Sequence, residues 1–112
     1  MLPRANRVVT AVDFRGTLRK GRRVSTSSAQ VYVVRQASSG PTRFGFIVSK
    51  AVGNSVTRNL VTRRLRSVGR DYVRSQPIGF DVVIRALPGS PAVSWATLQS
   101  EILNGLERST AP

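Results

Sequence analysis

Four residues, Asn59, Arg63, Arg66 and Arg70, follow one another at steps of four, three and four. At about 100° per helical residue this spacing lines up three guanidiniums and one amide on a single ridge, with neighbours about 5–6 Å apart. No acidic residue shares the ridge, and like charges so spaced repel one another. Such a row suits a ligand that brings the negative charge, because the guanidinium fork matches pairs of phosphate oxygens. The chemistry on offer is the binding of a phosphodiester chain. The plainer alternative is a cationic face kept for solubility.

Other chemistry is poorly provided for. The chain has no cysteine and no histidine, so disulfides, zinc–cysteine sites, the commonest metal ligand and the usual general base are all missing. Asp13, Asp71, Asp81, Glu101 and Glu107 are scattered, whereas a protein-only nuclease would ordinarily need converging carboxylates for magnesium or a histidine base. No catalytic residue is assigned, and no metal ligand. Eighteen Lys plus Arg against five Asp plus Glu give a net charge of +13, which points to a polyanionic partner rather than to any particular fold. With no secretory apolar segment and no membrane-length apolar run, a cytoplasmic protein with no membrane partner is expected. A membrane-surface helix would need its apolar stripe outside, and here the stripe is better used inside.

The elements that must hold the ridge can be read in outline. Asn54 or Ser55 can cap a helix running to about Arg74, and Val61, Leu65, Val68 and Tyr72 then form an apolar stripe that should face a core. Before it, Thr10 and Asp13 resemble a capping box for a helix over 10–20, with Phe14 and Leu18 one turn apart and Gly21 at its end. Residues 1–9 read as basic and irregular. Residues 24–36 read as one or two strands, 37–41 as a turn and 42–49 as a strand pairing with the preceding one in a hairpin. Gly45 within that strand marks a bulge or a close approach. Residues 80–87 read as a strand buried on both faces, and Ser94 can cap a last helix bearing Trp95, Leu98, Ile102 and Leu106. The order is α-β-β-β-α-β-α in one domain over residues 1–112. It is an α+β sandwich with a mixed central sheet, one face of which stays partly open.

From Arg43-Phe44-Gly45-Phe46 through Lys50, Gly53-Asn54 and Arg58-Asn59 to Arg63-Arg64-Leu65-Arg66, the chain resembles the protein subunit of bacterial ribonuclease P. The likeness extends to Asn6-Arg7, to Asp13-Phe14 with Lys20-Gly21, and to the late Val82-Val83-Ile84-Arg85 strand. Leu60 and Thr62 stand where that family usually has basic residues, Ala51 where it often has a second lysine, and Leu18 where aromatics are frequent.

The resemblance implies a left-handed βαβ crossover through the arginine helix, which general rules would not suggest. It implies a role as protein component of ribonuclease P, assisting endonucleolytic 5′ maturation of tRNA. The partners would be the ribonuclease P RNA and the 5′ leader of precursor tRNA. Hydrolysis would be carried by the RNA subunit, with magnesium in the RNA-containing holoenzyme. The expected RNA-binding residues are Lys50, Asn54, Arg58, Asn59, Arg63, Arg66 and Arg70, and the expected leader cleft is lined by Phe14, Leu18 and Tyr32. Arg4, Arg7, Arg22 and Arg23 would add nonspecific positive charge. The alternative is a general RNA-binding or ribosome-associated protein with no catalytic RNA partner. A duplex reader is less well matched, because Gln, Asn and Arg are not grouped at the helix start as a base-reading set would be.

Overall fold

The computed structural model describes residues 2–37 and 39–110, so Ser38 in the expected turn and the last two residues of the polar tail lie outside the described residues. Each of the three helices starts where a side chain takes up an N–H group of the first turn. Thr10 Oγ1 accepts from the Asp13 N–H at 3.1 Å, Asn54 Oδ1 from the Thr57 N–H at 2.9 Å, and Ser94 Oγ from the Thr97 N–H at 3.2 Å. The helices that follow are α1 (Ala11–Lys20), α2 (Ser55–Ser75) and α3 (Trp95–Thr110). All three were legible from caps and spacing.

The strands are β1 (Arg22–Ser25), β2 (Ala29–Arg35), β3 (Arg43–Ile47) and β4 (Phe80–Ala86), in the sheet order β1-β2-β4-β3. β1 with β2 and β2 with β4 are antiparallel, while β3 and β4 are parallel and joined through α2. The expected hairpin between β2 and β3 is therefore not formed, because β4 lies between them. The reason is in β4 itself. Phe80, Val82, Ile84 and Ala86 are buried in the main core and Val83 is buried on the opposite face, so the strand is most stable in the middle of a sheet covered on both sides. The segment linking β2 to β3 instead passes around the start of β4. The Gln36 N–H donates to the Gly79 carbonyl, the Gly79 N–H to the Gly40 carbonyl and the Thr42 N–H to the Pro77 carbonyl, at 2.8, 2.9 and 3.0 Å.

The main core lies between the sheet and the pair α2 and α3. Val61, Leu65, Val68 and Tyr72 of α2 and Leu98, Ile102 and Leu106 of α3 meet Val31, Val33, Phe44, Val82 and Ile84 there. Each such side chain contributes about 1.5–3 kcal/mol by leaving water, so α2 is fixed by its inner face and its outer face is free to carry charge. On the other side of the sheet α1 packs over β2 and β4.

The first residues are more ordered than their composition suggested. A single turn over Arg4–Asn6 leads to a parallel bridge between Arg7 and Phe44, with the Val8 N–H donating to the Phe44 carbonyl at 2.9 Å. This segment covers the outer edge of β3, and Leu2 is buried in the main core.

Candidate nucleic-acid interface

The two faces of α2 separate as the periodicity predicts. Val61, Leu65, Val68 and Tyr72 are 1%, 1%, 0% and 6% exposed. On the outer side Asn59 and Arg63 are exposed and Arg66 is half-buried. Asn59, Arg63 and Arg66, with Val56 and Thr62, line one open depression of about 480 Å³. Neither Arg63 nor Arg66 makes a hydrogen bond or ion pair among the described residues, and no carboxylate lines the depression. Their mutual repulsion is left for a ligand to relieve.

Arg70 departs from this picture. Its Nε lies 3.9 Å from Asp71 Oδ1, and Arg74 Nη1 is equally far from the same oxygen. The ridge carries no acidic residue, as expected, but at Arg70 the neighbouring Asp71, which lies off the ridge, reaches across.

At the start of α2 the chain leaves β3 through a single turn over Lys50–Val52, which leaves Lys50 exposed. At Gly53 a Cβ would stand 2.9 Å from Thr57 Cγ2, so the close turn into the helix needs glycine. Arg58 Nε donates to the Gly53 carbonyl at 3.1 Å, and Arg58 Nη2 donates to Ser55 Oγ at 3.3 Å. Arg58 is thus aimed by the turn it belongs to. Asn54 uses its carbonyl oxygen as the cap, leaving its amide N–H groups without a protein partner among the described residues. Thr62, in place of a basic residue, donates to the Arg58 carbonyl at 2.8 Å.

The strand register arranges the opposite sheet face into transverse rows. Arg23, Tyr32, Val83 and Gly45 are paired side by side in one row, and Ser25, Gln30, Arg85 and Ile47 in the next. α1 covers part of the first row. The Phe14 ring sits directly on Gly45, which confirms the close approach expected there, and Val83 is fully buried. Phe14 and Leu18 are half-buried, whereas Tyr32 is only 8% exposed and donates its hydroxyl to Gln30 Oε1 at 3.1 Å. In the second row Ser25 and Arg85 are exposed and Gln30 and Ile47 half-buried. Gln30 and Arg85 were not singled out from the sequence. The signal available was that each is a polar residue among apolar neighbours, on the side that alternation assigns away from the main core.

Asp13, Asp81 and Glu101 are placed for structural work. Arg43 donates through Nε to Asp81 Oδ1 at 2.9 Å, through Nη2 to Asp81 Oδ2 at 2.8 Å and through Nη1 to Asp13 Oδ2 at 3.2 Å, tying β3 to β4 and to α1. The hydrogen-bonded Asp81 carboxylate raises the Arg43 guanidinium above its ordinary range, outweighing the opposing effect of burial. Glu101 of α3 accepts from Ser27 and Ser28 in the turn between β1 and β2. Among the described residues no three Asp or Glu converge on a point that could hold a metal ion. No described helix is long and apolar enough to cross a membrane.

A family model described as Ribonuclease P matches residues 2–110. The chain belongs to the ribonuclease P protein family. The ribonuclease P protein component of Clavibacter michiganensis subsp. michiganensis is 48% identical over 108 residues, covering 96% of each chain. That of an Arthrobacter species is 45% identical over 107 residues, covering 96% of this chain and 79% of the relative. Among solved structures, the ribonuclease P protein of Staphylococcus aureus superposes with a TM-score of 0.85 at 24% identity, covering 96% of this chain and 97% of the other. The ribonuclease P protein of Thermotoga maritima gives 0.81 at 23% identity, covering 94% and 98%. At those identities the two structures establish the fold: three helices on a four-stranded mixed sheet.

Proposed function

We propose that this chain binds the catalytic RNA of ribonuclease P and the 5′ leader of precursor tRNA in the cytoplasm, assisting the endonucleolytic step that matures the tRNA 5′ end. The observation that carries this reading is the pair Arg63 and Arg66, unpartnered among the described residues on the outer face of a helix whose inner face is locked into the core, in a member of this family. Lys50, Asn54, Arg58 and Asn59 extend the phosphate-binding surface to the start of the helix, and Arg70, shared with Asp71, contributes less. The leader lies on the sheet face beside α1, with Phe14 and Leu18 at its border and Tyr32 beneath it positioning Gln30.

Hydrolysis belongs to the RNA subunit. Asp13 and Asp81 are held by Arg43, Asp71 lies beside Arg70 and Arg74, and Glu101 receives two serine hydroxyls. Carboxylates so engaged are poor candidates for holding catalytic magnesium, which the RNA's own phosphates would bind in the holoenzyme.

Reconstitution tests the proposal. Adding the chain to a bacterial ribonuclease P RNA at low magnesium should raise cleavage of precursor tRNA, and the chain alone with magnesium should leave precursor tRNA intact. Cleavage by the isolated chain, or no effect on the RNA, would overturn it. With about four to six phosphate contacts, binding should weaken with salt along a log–log slope of roughly −3 to −5.

A further inference from the structure

Leu60 is an apolar side chain, 39% exposed, on the cationic face of α2. It lines a second depression, of about 430 Å³, together with Arg63, Arg64, Ser67 and the half-buried Trp95 at the start of α3. The depression combines two kinds of surface. The part of the indole not packed against the main core and a leucine offer an apolar wall, and Arg63 and Arg64 stand beside it without a hydrogen bond or ion pair among the described residues. No carboxylate lines it. The first turn of α3 contains no acidic residue, so its N–H groups add to the positive potential there. Arg63 lines this depression and also the one shared with Asn59 and Arg66, so a chain of phosphates on the ridge passes its rim.

We infer that the depression between α2 and the start of α3 receives one unpaired nucleobase of an RNA strand, packed against Trp95 and Leu60, with the flanking phosphates on Arg63 and Arg64. A paired base could not enter, because its face is already stacked in the duplex. An apolar ligand without phosphate would leave two guanidiniums unpaired, and a phosphate without a base would leave the indole and leucine exposed to water. A nucleotide satisfies both, and aromatic stacking on a base tolerates any sequence. The inference rests on the RNA-binding reading above and adds a base pocket to its phosphate contacts.

Trp95 is the sole tryptophan of the chain, so its emission reports on this depression alone. Two RNA hairpins of equal length and charge serve as probes, one with a single bulged nucleotide and one with an abasic residue at that bulge. The full chain should bind the base-bearing hairpin about fivefold or more tightly, with quenching of Trp95 emission that the abasic hairpin does not produce. Trp95→Leu should erase the preference and Trp95→Phe should retain most of it, with circular dichroism confirming the fold of both. Equal binding of the two hairpins by the full chain without quenching, or a preference that survives in Trp95→Leu, would overturn the base pocket. If Trp95→Leu does not fold, the preference and quenching of the full chain decide. Failure to bind either hairpin in a salt-dependent way would instead overturn the RNA-binding reading, and the pocket with it.

Discussion

The ring of Phe14 occupies the space that a side chain on Gly45 would need: its Cε1 and Cζ atoms lie 2.5 and 2.6 Å from where a Cβ would stand. This contact sets how closely α1 approaches the sheet, and with it the height of the wall beside Ser25, Gln30, Arg85 and Ile47. Gly45→Ala should push Phe14 aside and destabilise the protein by about 1–3 kcal/mol. Adding Phe14→Ala should cost less than the two single losses summed, because the clash is already relieved. Denaturant unfolding of the single and double variants checks this, and strict additivity would contradict it.

Replacing Arg63 and Arg66 together by Ala should change stability by no more than about 0.5 kcal/mol each, since neither side chain has a hydrogen-bond or ion-pair partner among the described residues. The same double variant should lower the magnitude of the log–log salt slope for RNA binding by roughly 1.5, the share of two phosphate contacts. Filter binding at several salt concentrations, with a thermal melt alongside, separates the two effects.

Asp71 lies 3.9 Å from both Arg70 and Arg74. Asp71→Asn should remove that local competition and strengthen RNA binding about two- to fivefold at low salt, with the gain fading as salt screens the surface. Unchanged affinity at low salt would show that Arg70 and Arg74 lie outside the contact surface.

Asp81 receives two donors from Arg43 and one from Gln36 Nε2 at 2.9 Å. Asp81→Ala should cost about 1–3 kcal/mol, because Arg43 keeps only Asp13 and the side chain is no more than 29% exposed. Asp13→Ala should cost less, because its single contact is longer and more exposed. Chemical denaturation of both variants tests the order.

Features confined to one turn or one helix were legible in the sequence. Thr10, Asn54 and Ser94 act as caps, and the stripe and ridge of α2 separate as their spacing requires. Features set by distant pairing were not. Nothing near Arg43 indicates that its carboxylates come from positions 30 and 38 residues away, and the nearness of Leu60 to Trp95 depends on how α3 docks on α2. The order of the strands lay between these cases. The double-sided burial of 80–87 was readable, and carried to its consequence it places that strand in the centre, which removes the hairpin between β2 and β3. Tyr32, expected to line a cleft, is 8% exposed and donates its hydroxyl to Gln30, a contact that the sequence did not indicate.

The central strand is also the last of the four to be synthesised. Only β1 and β2 can pair before it emerges, and an isolated pair of strands is barely stable in water. β3 must wait, and α2 has no finished sheet to rest on while it is being made. Folding on the ribosome is therefore held back at least until residue 86 has cleared the exit tunnel, and the groove beside α1 and the cationic helix behind it come into existence together, within one cooperative step.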